Sequence, residues 1–233
     1  MRPVVRGSWP LDAEGEQKEF AKYQNARKDL IDRLGGYCSY CEMKIDASLA
    51  VEHIQPKSHH PSLTFDWNNF LLACPNCNSN KGKKNIALND YIWPDRDNTF
   101  RALDYQRGIV KSKPNIEETK ANRLIQLVGL DKIPNPINTT DRRWLSRLEA
   151  WDMAERAKHN LNRCYTNQMN IHDMQDQILD TAKAQGYWSI WMTQFRNDPN
   201  MLKRFIDDFP GTCTDCFDTT NHCSPIPRVG GVC

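Results

Sequence analysis

The chain has 233 residues, 39% hydrophobic and 26% charged, with a formal net charge of +2. That is the composition of a globular chain of one elaborated domain or two small ones, and the near-neutral balance excludes a uniformly basic face. No apolar run is long enough to span a bilayer, and the first residues lack a signal-peptide core. Nine cysteines, an odd number, place the chain in the reducing cytoplasm and favour metal thiolates over disulfides.

Residues 1–35 read as an N-terminal lead-in. Pro3, Gly7 and Pro10 punctuate an irregular start. From residue 16 to 34 the apolar positions Phe20, Tyr23, Leu30, Ile31 and Leu34 recur at helical steps, and Gly35-Gly36 stops the helix. Lys18, Lys22, Arg27 and Lys28 form its solvated face.

Residues 36–130 are the core. Cys38-x-x-Cys41 and Cys74-x-x-Cys77 are two knuckles, together the ligand set of a tetrahedral zinc site. Residues 49–54 predict a strand, because Val51 and Ile54 suit a pleated, half-buried surface, and Pro56 ends it. Residues 57–66 are a loop holding His59 and His60, read as exposed. Residues 67–73 lead into the second knuckle, and Asn78 stands at the start of a short helix with Lys81 on its surface. Further on, residues 100–105 and 109–113 flank Gln106-Arg107-Gly108 as a hairpin. Asn115 and Glu118 make a capping-box pattern for a helix reaching Val128, stopped by Gly129.

Residues 131–210 form a helical region that opens on a proline-containing linker, 131–140. A helix starts at Asp141, with Trp144, Leu145, Leu148 and Trp151 as its buried face. It breaks near Thr166-Asn167 and resumes to about residue 184; two more helices cover 187–195 and 200–209. Trp144, Trp188, Trp191, Arg142, Arg143 and Arg147 read as core packing with a solvated basic edge, or in part as a docking face. Residues 211–233 are a cysteine-rich tail with Cys213, Cys216, His222, Cys223 and Cys233. A second zinc site is one reading there; partly exposed thiols fit the irregular spacing better.

The order C-x-x-C, VEHI, then N-F-L-L-x-C-x-x-C-N-x-x-K-G resembles the HNH endonuclease family, with its ββα-metal fold. The fold class expected is therefore α+β, a small HNH core with a four-cysteine zinc knuckle embedded in a mainly helical chain. The phrases MRPV, YCSYCE, EHIQPKS, DWNNFLLACPNCNSNKG, YIWPDRDNT and FPGT…CFD are similar to PtuB, the HNH subunit of Septu anti-phage systems, also found with retrons. That resemblance implies a PtuA-like ATPase partner and, in the retron setting, a reverse transcriptase with its RNA–DNA product. The family also implies that the middle asparagine, here Asn69 rather than Asn68, braces the loop by bonding backbone.

Chemistry supports the same reading. A hard cation such as Mg²⁺ or Mn²⁺ needs few protein ligands because it keeps water, and Glu52 with the amide oxygen of Asn78 can supply them. Asn80 is the rival ligand. Neutral His53 is the general base. Adjacent side chains alternate across a strand, so bringing Glu52 and His53 to one site requires the strand to end or twist there. The expected function is a metal-dependent endonuclease of DNA, or second tRNA, leaving a 5′-phosphate. The competing class is a non-catalytic zinc-knuckle adaptor.

Overall fold

A computed structural model describes residues 1–45, 47–133 and 141–233. Strands β1 (Ala50–His53) and β2 (Phe70–Ala73) pair antiparallel, Ala50 opposite Ala73 and His53 opposite Phe70. All four residues of β2 are buried, which its unbroken apolar run FLLA requires. Helix α2 (Pro75–Lys81) follows at once. Cys74 caps it, its Sγ accepting from Cys77 N at 3.3 Å, and Pro75 sits where a helix tolerates it. Asn78 consequently lies in the middle of α2, not at its start. This ββα unit sits in an otherwise mainly helical chain, an α+β fold.

The N-terminal helix is shorter than its periodicity suggests. A 3₁₀ turn (Tyr23–Ala26) leads into α1 (Arg27–Leu34). Residues 10–18 close on themselves instead. Asp12 Oδ1 accepts from the backbone of Glu14 (3.1 Å) and Glu16 (2.9 Å), and Lys18 N donates to Pro10 O (2.9 Å). An aspartate-led turn ending on Gly15, at φ +86°, outcompetes helix locally. Phe20 is thereby left to stack between Trp9 and Trp67, with ring centroids 6.4 Å apart on each side.

After the core, α3 (Thr99–Ala102) takes residues expected to open a strand, because the Asn98 side chain accepts from Arg101 N at 3.2 Å and starts a helical turn. Strands β3 (Leu103–Gln106) and β4 (Ile109–Ser112) form the hairpin. Its two-residue turn has φ +44° at Arg107 and +83° at Gly108, the primed geometry that matches strand twist. Helix α4 (Glu118–Val128) ends on left-handed Gly129 as expected. The capping box does not form: Glu117, itself left-handed, precedes the helix and no side chain caps it. Most of the linker at 131–140 lies outside the described residues.

Helices α5 (Arg143–Asn167), α6 (Ile171–Gln185), α7 (Trp188–Gln194) and α8 (Pro199–Asp208) make the second half. The break near Thr166-Asn167 is present, with Gln168 left-handed. The buried face of α5 differs from the expected one. It is Arg143, Arg147, Ala150, Ala154 and Leu161, while Trp144, Leu145, Leu148 and Trp151 are half-buried. The hairpin turn comes so close to α5 that a Cβ on Gly108 would lie 2.9 Å from Trp144 O. Such an approach favours small residues, and the buried arginines reach carbonyls that would otherwise lack donors. Arg143 and Arg147 are thus not a solvated basic edge; Arg142 alone of the three is exposed. Trp188 and Trp191 are core residues.

In the tail, β5 (Phe217–Asp218) and β6 (Ser224–Pro225) pair. Cys213, Cys216, Cys223 and Cys233 are buried rather than partly exposed. The reason is Asn98, whose Nδ2 donates to Cys216 O (2.8 Å) and Ile226 O (2.7 Å) and whose N–H donates to Cys233 O (2.9 Å). Buried side chains from Met1 to Cys233 join one hydrophobic cluster. No described helix is long and apolar enough to cross a membrane.

Candidate active site and metal centre

The two knuckles meet. The sulfurs of Cys38, Cys41, Cys74 and Cys77 all lie within 4.8 Å of one another and all four residues are buried. Cys41 Sγ and Cys74 Sγ are 3.6 Å apart. A tetrahedron of thiolates at zinc–sulfur bond length has edges of ~3.8 Å, so the cluster fits zinc. Neighbouring thiols, Cys38 first, hold the Cys41 thiol well above the ordinary range, burial does the same to Cys77, and Cys74, accepting from Cys38 and Cys41, is driven far down. Crowded sulfurs that cannot all ionise together are what a divalent cation resolves. Among the described residues no other group of three or more His, Cys, Asp or Glu side chains is gathered this closely, and the tail cysteines are not drawn into one.

Beside the clip lies an open cleft of about 450 Å³, lined by Tyr23, Glu52, His53, Lys57, Thr64 and Asn78 among others. Glu52 and His53, the last two residues of β1, both line the cleft. Asn78, on the exposed face of α2, supplies the third group, and its side-chain amide has no hydrogen-bond partner among the described residues. Asn80 turns elsewhere: its Nδ2 donates to Asn76 O (2.6 Å), and its Oδ1 accepts from Lys132.

His53 is fixed on three sides. Its ring meets Tyr23 and Phe70 edge-on, at centroid separations of 4.7 and 5.2 Å. Its Nε2 is 3.0 Å from Thr64 O. A carbonyl oxygen can only accept, so Nε2 carries the proton and Nδ1 keeps the lone pair. Burial, with the Lys57 and Lys81 charges behind it, pulls the imidazole below its usual value against the Thr64 hydrogen bond. The ring is therefore neutral near pH 7. Lys57 holds its ammonium 4.2 Å from the Tyr23 ring centroid at the cleft edge.

Asn69 ties the loop between β1 and β2. Its Oδ1 accepts from Gln55 N (2.8 Å), and its Nδ2 donates to Gln55 O (2.9 Å) and Leu63 O (3.3 Å). Thr64, the carbonyl partner of His53, follows Leu63 in that loop. His59 is exposed, with Nε2 3.0 Å from Lys83 O, and half-buried His60 lies 3.4 Å from the Gln55 amide.

Lys81 corrects the surface reading of its sequence position. It is 1% exposed, its Nζ 2.7 Å from Glu52 Oε1 and 2.7 Å from His53 O. Glu52 Oε2 accepts from Tyr40 OH at 2.8 Å. Burial raises the Glu52 carboxyl above the usual range, and Lys81 and Tyr40 oppose that rise. Each carboxylate oxygen keeps a lone pair beyond these bonds. A carboxylate, an uncommitted amide oxygen and a roomy open cleft fit a hard, partly hydrated cation.

Sequence reasoning also missed Arg143. Its Nη1 donates to Cys77 Sγ (3.0 Å) and Val128 O (2.8 Å), its Nη2 to Gly129 O (2.8 Å) and Asp141 (2.6 Å). The only local signal was the Asp141-x-Arg143 spacing, which does not reveal a sulfur more than sixty residues away. No curated protein and no solved structure matches the chain. Residues 38–84, the span that carries both knuckles, Glu52, His53, Asn69 and Asn78, match the family model for HNH endonuclease.

Proposed function

We propose that the chain is a metal-dependent endonuclease that hydrolyses phosphodiester bonds, with DNA as first-choice substrate and tRNA second. The observation that carries this reading is one cleft lined by Glu52, His53 and Asn78, the last adjoining Cys77 of the four-cysteine clip in the chain. In this reading the clip holds structural zinc, and Glu52 with Asn78 holds Mg²⁺ or Mn²⁺. The bound cation would supply charge stabilisation to the phosphorane and to the departing oxygen. His53 Nδ1 accepts the proton of the attacking water, while Nε2–H, anchored on Thr64 O, keeps the tautomer and the ring direction. Asn69 holds the loop that supplies that carbonyl. Cleavage on the 3′-oxygen side leaves a 5′-phosphate.

The finer assignment is to an anti-phage defence system of Septu type, in which a PtuA-like ATPase gates the nuclease, or to a retron, whose reverse transcriptase and RNA–DNA product join it. Its support is the set of sequence phrases shared with PtuB, several of them outside residues 38–84. Reducing cytoplasm, inferred from the unpaired cysteines, suits both.

A second reading, a zinc-knuckle adaptor without catalysis, has one observation on its side: both Glu52 oxygens are already engaged by Lys81 and Tyr40. Plasmid DNA and tRNA incubated with Mg²⁺ or Mn²⁺, against an EDTA control and with the partner ATPase present, separate the two. Metal-dependent cutting that is lost in a zinc-loaded His53→Ala protein is the expected result. No cutting under any of these conditions favours the adaptor, and wild-type cutting by His53→Ala refutes the assignment of the base.

A further inference from the structure

Four thiolates around Zn²⁺ leave roughly two negative charges in excess. All four cysteines are buried, so water does not offset that charge, and the protein must. A guanidinium group does so from α5, beyond the residues that match the HNH endonuclease family. Arg143 and Arg147 are each 1% exposed. Arg143 touches the cluster directly, with Nη1 3.0 Å from Cys77 Sγ. The same guanidinium closes the C-terminus of α4 through Val128 O and Gly129 O and is gripped by Asp141, whose Oδ1 also accepts from Asn76 Nδ2 of α2 at 3.2 Å. Arg147 stands behind it, donating to Gly108 O (2.8 Å) and Leu130 O (3.0 Å).

We propose that Arg143 is the outer hydrogen-bond partner of the zinc centre, a positioning residue through which docking of α5 on α2 and α4 controls how firmly the four-cysteine clip retains its metal. Donors to a metal-bound ligand orient it and set its donor strength, and losing one costs about 10–100-fold in metal affinity. Because that donor comes from the helical half, a force or partner that lifts α5 would loosen the knuckle beneath the active-site cleft. This inference rests on the zinc reading of the clip and is independent of the nuclease reading.

The test is zinc release into excess chromogenic chelator from the full-length, zinc-loaded protein. Arg143→Met should release zinc about 10–100-fold faster than wild type. In cobalt-substituted protein its sulfur-to-metal charge-transfer band should move to longer wavelength, because a thiolate stripped of a donor gives up electron density more readily. Loss of a helix cap alone would leave that band in place. Arg142→Met, at an exposed position, should change neither readout. Arg143→Gln keeps a neutral donor for one carbonyl and should also release faster. A folded Arg143 variant with wild-type release and an unmoved band overturns the proposal.

A second measurement needs no variant. Stripping zinc from wild type should raise amide hydrogen exchange in residues 143–150 and 128–130. Unchanged protection there overturns the inference even if neither variant folds. A wild-type protein that binds no zinc would sink the metal reading along with it, whereas zinc held without these couplings sinks the inference alone.

Discussion

The Glu52–Lys81 pair is the most exacting place to test the site. Lys81→Met removes the ammonium 2.7 Å from a carboxylate that is 3% exposed and leaves Tyr40 OH as its remaining donor. Breaking a buried pair by deleting one partner costs about 3–5 kcal/mol, because the other charge stays desolvated. The cost should depend on pH in one direction. Burial already raises the Glu52 carboxyl in the folded protein, and losing Lys81 raises it further. A carboxyl whose folded value lies above its unfolded one destabilises the fold once pH passes the unfolded value, and the penalty grows as pH rises through the folded value. The deficit of Lys81→Met should thus be largest above the raised folded-state value of Glu52 and should shrink as pH falls toward the unfolded carboxyl range, where a protonated Glu52 needs no counter-ion. Urea unfolding of the zinc-loaded protein across that range reads it directly. Glu52→Gln combined with Lys81→Met should recover most of the loss, since the double variant buries no unpaired charge. A deficit that stays constant with pH, or a double variant no more stable than Lys81→Met, would refute the claim that the two groups form one buried ion pair.

Three further outcomes are expected. The acid limb of the rate profile should fall below the ordinary imidazole value, since burial and the Lys57 and Lys81 charges depress His53, and removing the exposed charge with Lys57→Met should move that limb upward in pH. By the same sign, His53 contributes stability that is complete above the unfolded imidazole value and is lost as pH falls through the window below it. Asn69→Ala frees the loop carrying Thr64 and leaves a backbone N–H and two carbonyls of that loop without their partner; about 2–3 kcal/mol of stability should go, measurable by denaturant, with a larger relative loss in turnover than in substrate binding. Gly108→Ala places a Cβ 2.9 Å from Trp144 O at φ +83°, and should cost at least about 1–2 kcal/mol by separating the hairpin from α5; a neutral effect in thermal unfolding would contradict that close approach.

What was legible in the sequence was whatever its own neighbours decide. The cysteine spacing, the FLLA run, Pro75 and the Gly129 stop are local statements, and the ββα unit and most helix ends follow from them. The Asp12 turn was also local, but helical periodicity at Phe20 and Tyr23 masked it; Phe20 stacks on Trp9 instead, and Tyr23 meets His53 edge-on. Lys81, Arg143 and Arg147 were misread for a different reason. A cation is placed on the surface by default, and only the fold shows that Glu52, Cys77, Gly108 and Leu130 stand where their donors reach. The separation of Asn78 from Asn80 was similarly out of reach: both follow the knuckle, and helix phase alone turns one to the cleft and the other to Asn76.

These buried cations share a consequence for how the site is built. Lys81 binds the His53 carbonyl and the Glu52 carboxylate at once, so the last helical residue of α2 fixes the end of β1. Arg143 binds the other end of the same short helix through Cys77, and Asp141 adds Asn76. Helix α2 has only seven residues, too few to be stable in isolation. It is held by the four-cysteine clip and an arginine near its start and by an ion pair at its finish, with Asn78 between them. The position of Asn78, the candidate ligand that α2 offers to the cleft, is therefore set by charges at both ends of the helix, and loosening either end should tilt Asn78 away from the cleft before the strand pair itself gives way.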